Sequence, residues 1–207
     1  MTNMMALYSS ENCIDCHRVR VVLAEKGINV EIIHVEQDRA ATADLAELNP
    51  YGETPTLVDR DLTLYGTWVV TEYLDERYPH PPLMPVDPVS RAYLRLAMYR
   101  MFRDWIDAAR IIETSGGEKK VAAARKQLRE GIISSDDLFG VKPFLLSDEL
   151  SLADCALVPL LWRLPAYDID LTARQAPNAI KYMERMFARD SFKRSLTEVE
   201  RILREGE

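Results

Sequence analysis

Hydrophobic and polar positions change period several times along the first eighty or so residues, and each change marks a new element. Residues 4–8 are short and apolar and run into Ser9, Ser10, Glu11 and Asn12, the pattern of a strand feeding a loop. Within 16–26, Val19, Val22 and Leu23 fall at i, i+3 and i+4, and Gly27 follows, which predicts a helix closed by a glycine C-cap. Residues 30–35 are rich in β-branched side chains and predict a second strand. A short helix over 43–48 ends at Asn49 and Pro50. Residues 56–59 and 61–64 predict a hairpin around Asp59 and Arg60, and 67–78 is helical, with Val70, Tyr73, Leu74 and Tyr78 on one face. The order is β-α-β-α-β-β-α.

The pattern then breaks. Residues 79–88 hold five prolines in ten positions, which excludes helix and central strand and predicts a stiff, extended connector. Beyond it every periodic segment is helical: about 89–113, 118–134, a helix starting at Ser151, and further helices over 176–189 and 196–204. Ser151 with Asp154 three residues on is close to a capping box, and Pro159 predicts a kink. The fold class expected is α/β plus all-α: a thioredoxin-like domain over 1–78, a linker over 79–88, and an all-helical domain over 89–207.

Composition narrows the function. The chain has 207 residues and a net charge of −7, whereas nucleic-acid binding draws its affinity from clustered positive charge. The nearest basic run, Lys119 and Lys120 through Arg125, Lys126 and Arg129, lies on a predicted helix and reads as a solvated face, so no direct nucleic-acid contact is expected. No apolar run is long enough to span a membrane, and the opening residues lack the basic-then-apolar order of a signal peptide. Three cysteines, an odd number, fit a reducing compartment, and a cytoplasmic location is expected.

Cys13-Ile14-Asp15-Cys16 is the constellation that could carry covalent chemistry. A Cys-x-x-Cys at a helix start sits where amide dipoles lower a thiol pKa, which would make Cys13 the attacking thiolate and Cys16 the resolving thiol. His17 would add positive charge, and Asp15 would oppose the thiolate. A zinc site needs four ligands, and only Cys13, Cys16 and His17 cluster, so no metal is expected. Cys155 reads as core, Tyr8 and Ser9 as a strand end and loop, and Trp105, Trp162 and Tyr182 as helix faces packed inward.

Taken in order, the thiol loop, the Thr54-Pro55-Thr56-Leu57 turn, the helix ending Glu72-Tyr73-Leu74-Asp75-Glu76-Arg77-Tyr78 and the Ser151/Asp154 cap resemble the glutathione-transferase superfamily over the whole chain. The resemblance implies a cis peptide at Pro55, backbone pairing of glutathione with Thr54, and an acidic-Ser/Thr pair that holds the γ-glutamyl end. Here that pair reads Gly66-Thr67, so the carboxylate is missing. Losing one member of a buried charged pair costs about 2–5 kcal/mol. Weak glutathione binding through Thr54, Pro55 and Thr67 is the most this leaves, and no cofactor is expected.

A narrower match covers 72–88, Pro159-Leu160-Leu161-Trp162-Arg163-Leu164 and Arg189-Asp190-Ser191-Phe192, which resemble the stringent starvation protein A family. It departs at Asp87, where that family often carries an aromatic. The resemblance implies a homodimer that binds RNA polymerase holoenzyme and regulates transcription under starvation and acid stress, with its docking surface at Pro79, His80, Pro81 and Pro82. Two readings follow: a regulator without a favoured catalytic residue, and a glutathione-dependent thiol transferase or conjugating transferase using Cys13 and Cys16.

Overall fold

The structure is a computed structural model that describes residues 5–36, 39–114 and 117–205. It divides into two compact units, Met1–Pro82 with Asp190–Glu207, and Leu83–Arg189. The first unit is therefore discontinuous. The last two helices, which chain order alone would leave in the helical half, fold back onto it.

In the first unit, β1 (Ala6–Ser9) pairs parallel with β2 (Glu31–His34) and antiparallel with β3 (Thr56–Asp59), and β3 pairs antiparallel with β4 (Leu62–Tyr65). The strand order is β2-β1-β3-β4. Leu7 on β1 sits opposite both Ile32 and Leu57, and Leu7 and Leu57 are fully buried. Helices α1 (Ile14–Glu25), α2 (Arg39–Leu48) and α3 (Thr67–Arg77) complete the βαβαββα order expected from the pattern. Gly27 follows α1 at φ +63°, the left-handed value that favours glycine after a helix end.

The burial of α1 exceeds its apolar stripe. Cys16, His17, Arg18 and Arg20 are buried along with Val19, Val22 and Leu23, because α10 (Asp190–Ser195) covers the face that the pattern left polar. Arg20 is held by Glu200 Oε1 at 2.6 Å, Ser195 O at 2.9 Å and Ser9 Oγ at 2.6 Å. Glu200, on α11 (Glu198–Glu205), is itself fully buried and also accepts from the Thr197 amide. A buried ion pair is tolerable only when its remaining donors and acceptors are filled. Here they are.

The second unit holds α4 (Pro88–Met101), a π-helical turn over Phe102–Ile106, α5 (Asp107–Glu113), α6 (Glu118–Ser134), α7 (Asp136–Val141), α8 (Leu152–Trp162) and α9 (Pro177–Phe187). The single helix expected over 89–113 is thus interrupted by the π turn, and α7 and α10 were not predicted. Both are short, six-residue segments without a full apolar repeat. Every residue of α8 is buried, which makes it the core of this unit. Asp87 caps α4 by accepting from the Ser90 amide at 2.8 Å, with Pro88 as the first helical residue. The proline-rich stretch therefore ends inside a helix, and the departure at Asp87 has a local structural reason.

Candidate functional site

The loop between β1 and α1 brings the two thiols together. Cys13 is the N-cap of α1, and its sulfur accepts from the Cys16 amide at 3.1 Å. Cys16 is fully buried, and its Sγ accepts from the Ser10 amide at 3.4 Å. Ser10 Oγ and Thr54 Oγ1 lie 3.0 Å apart, which ties the thiol loop to the turn before Pro55. The Thr54–Pro55 peptide is cis.

These contacts split the two thiols unequally. Burial alone pushes the Cys16 thiol up. Hydrogen bonds from Cys13, Thr54 and the Ser10 amide, with the Arg20 charge behind them, more than offset that and bring it down to about 7. The Cys13 thiol is pushed well up, first by its hydrogen bond to Cys16, then by burial and by the Cys16 charge. The acidic sulfur is therefore the inaccessible one, and the sulfur nearer solvent is the weaker acid. His17 does not assist: its Nε2 lies 3.0 Å from Ser195 Oγ and its Nδ1 is 3.6 Å from Glu200, toward the C-terminal helices. Asp15 is held by Arg18 at 2.6 Å.

A measurable consequence follows. The ultraviolet thiolate signal of the folded protein should titrate below the ordinary 9.0 and disappear in Cys16→Ser, whereas Cys13→Ala should move it upward by removing a donor. Since the folded value is depressed, the Cys16 thiolate's contribution to stability is fully present above about pH 9 and is lost as pH falls through about 7.

Of the other hydroxyl candidates, Tyr8 packs with Ala41 and Leu45 beneath α2, and burial, then Asp44 and Glu31, push its phenol up. Ser9 is fully buried and accepts from Arg20. Both are structural. Gly66 is the N-cap of α3 at φ +82° and offers no side chain to that helix end. A Cβ there would meet nothing within 4 Å, so the backbone conformation, not space, is what a carboxylate-bearing residue would have to bear. Thr67 stands alone at the place of the expected pair.

Residues 79–82 are all exposed, and the His80–Pro81 peptide is cis. Their position is set from below by Lys26. Its Nζ donates to Tyr78 O at 2.6 Å and Pro81 O at 2.7 Å and pairs with Asp75 Oδ1 at 2.7 Å, and the side chain is fully buried. Three N–H donors meet three acceptors. Sequence reasoning missed Lys26 and Asp75, because a lysine in the last turn of a helix reads as a solvated cation complementing the dipole.

Trp162 is buried and packs edge-on to Phe187, as expected of a core aromatic, whereas Trp105 stacks on Phe139 but is only half-buried. In the basic run, Arg125 pairs with Asp168 and Lys126 with Glu130. Among the described residues no helix is long and apolar enough to cross a membrane.

A four-stranded thioredoxin-like sheet with a thiol loop and cis-proline turn, followed in the same chain by a helical unit around a capped core helix, defines the glutathione-transferase class of fold. Residues 12–77 match the family model for the glutathione S-transferase N-terminal domain, and 91–190 that for the C-terminal domain. Among solved structures, a glutathione S-transferase of Methylobacillus flagellatus with glutathione bound superposes with a TM-score of 0.80 at 28% identity, covering 93% of this chain and 98% of that one. A tau-class transferase of mango does so with a TM-score of 0.81 at 22% identity, over 99% of this chain and 97% of that one. Curated relatives are more specific. A stringent starvation protein A homolog of Coxiella burnetii is 47% identical over 98% of this chain and 96% of its own, and one of Pasteurella multocida is 46% identical over 94% and 91%. The chain belongs to the stringent starvation protein A family.

Proposed function

We propose that this protein is a transcriptional regulator that docks on RNA polymerase holoenzyme through residues 79–82, as a homodimer, and acts under starvation and stress. The observation that carries the reading is the anchored ridge: four exposed residues, three of them prolines, whose carbonyl at Pro81 is held by a buried ammonium. A segment already rigid before binding loses little conformational entropy on docking. Family membership supports the same reading. So does the start of α3, where Gly66 offers no carboxylate to anchor a tripeptide. For self-association, α4 exposes Val89, Tyr93 and Leu96 along one face, with Val86 just before it, an apolar strip of the kind a second copy covers.

The test is a triple variant, Pro79→Ala, His80→Ala and Pro81→Ala, used as bait for RNA polymerase in a cell extract. Retention should fall to background while the melting temperature stays close to wild type, since the substituted side chains are exposed. Full retention by a folded triple variant would overturn the docking surface. Turnover of a glutathione-dependent substrate that vanishes in Cys13→Ser would replace the regulator with the transferase reading.

A further inference from the structure

We infer that the concavity between α7 and α9 is a docking groove for an acidic, partly apolar peptide segment of a protein partner. It encloses about 430 Å³ and is lined by three cations, Lys142, Lys181 and Arg185, and by no carboxylate among the described residues. On a chain of net charge −7 that is a local inversion of sign. An acidic segment would be repelled by much of this surface and drawn only to such a place.

The cations differ in how they are engaged. Lys181 and Arg185 lie one turn apart on α9, and among the described residues no ion pair engages either. Among the described residues the one partner of Arg185 is the Tyr182 ring, 5.7 Å below its guanidinium. Two exposed cations of α6 on this unit do have acidic partners, Arg125 with Asp168 and Lys126 with Glu130. Lys142 does pair, with Asp148 at 2.7 Å, but both are well exposed and such a pair contributes little. Glu184 shares α9 without lining the groove. Asp136, the nearest acid at the head of α9, is occupied: it accepts from the amides of Asn178 and Ala179 and from the Asn178 side chain.

The walls argue for a peptide rather than a small anion. Val141 is 64% exposed at the rim beside Pro143, so an apolar side chain would find contact there. Gly140 shapes the floor, since a Cβ at that position would lie 2.8 Å from Asn178 Cγ. Nucleic acid is a poor fit: three charges in one short groove, against an acidic background, do not form the extended track that phosphate backbones need. This inference is independent of residues 79–82.

The experiment is fluorescence anisotropy of a labelled Asp/Glu-rich peptide carrying one leucine, titrated with the full-length protein. Lys181→Glu with Arg185→Glu should weaken binding by roughly tenfold or more, the scale of like-charge juxtaposition at an interface. Replacing the peptide's leucine by alanine should weaken it further. The control Lys119→Glu with Lys120→Glu, on exposed positions of α6, should leave it unchanged. Equal loss in the control, no loss in the α9 variant with its circular dichroism melt intact, or tighter binding of a single-stranded oligonucleotide at the same sites would each overturn the inference.

Discussion

Lys26→Met should destabilise the first unit by about 3–5 kcal/mol, the usual cost of removing one partner from a buried ion pair. Asp75, with only a small exposed fraction, would lose its buried cation, and the carbonyls of Tyr78 and Pro81 would each lose their donor. Urea denaturation of the full chain measures the loss. Lys26→Arg should not rescue it. A planar guanidinium cannot place its donors on three acceptors arranged around a point charge. The double variant Lys26→Met with Asp75→Leu should recover part of the stability, because no lone charge remains, yet it should not recover the proposed polymerase binding, because the ridge carbonyl is still unheld. That separation distinguishes an anchor from a merely stabilising pair. A Lys26→Met protein within about 1 kcal/mol of wild type that still retains polymerase would show that the ridge does not depend on this contact.

How much of this was legible beforehand varies by the kind of interaction. The β-strands, α1, α3, α6 and the cap of α8 were readable because each rests on a local signal: a period, a glycine, a Ser with an acid three residues on. The apolar stripe of α1 was readable too, but its second buried face was not. Arg20 and His17 look like solvent positions until α10 and α11 return to cover them, and nothing local announces a partner 175 or more residues away. Lys26 failed for the same reason over a shorter span, since its carbonyl acceptors lie 52 and 55 positions downstream. For the thiol pair the motif speaks only of the helix end at Cys13, whereas the donors that gather on Cys16, from Cys13, Thr54 and Ser10 with the Arg20 charge behind them, come partly from residues distant in sequence.

A comparable expectation falls on Asp154. Its carboxylate is fully buried and accepts four hydrogen bonds, from the amides of Leu145 at 2.8 Å and Ser151 at 2.9 Å and from the hydroxyls of Ser151 at 3.0 Å and Tyr182 at 2.7 Å. Burial pushes its carboxyl up, and these donors pull against that. Ser151, the other half of the capping box, accepts from amides of the first turn of α8 in the ordinary way of an N-cap. Ser151→Ala should therefore cost about 1 kcal/mol, as for an ordinary N-cap. Asp154→Ala orphans two backbone amides in the interior, each costing about 1–3 kcal/mol, and leaves two hydroxyls to find new acceptors. A total near 3–5 kcal/mol is expected, within the range of severe single substitutions. Hydrogen exchange over residues 144–152 should accelerate in Asp154→Ala well beyond Ser151→Ala, because the loop that carries Leu145 is tied to α8 by that side chain. An aspartate variant no less stable than the serine variant would mean that the box acts only as a helix cap, and that the loop and Tyr182 are held by packing alone.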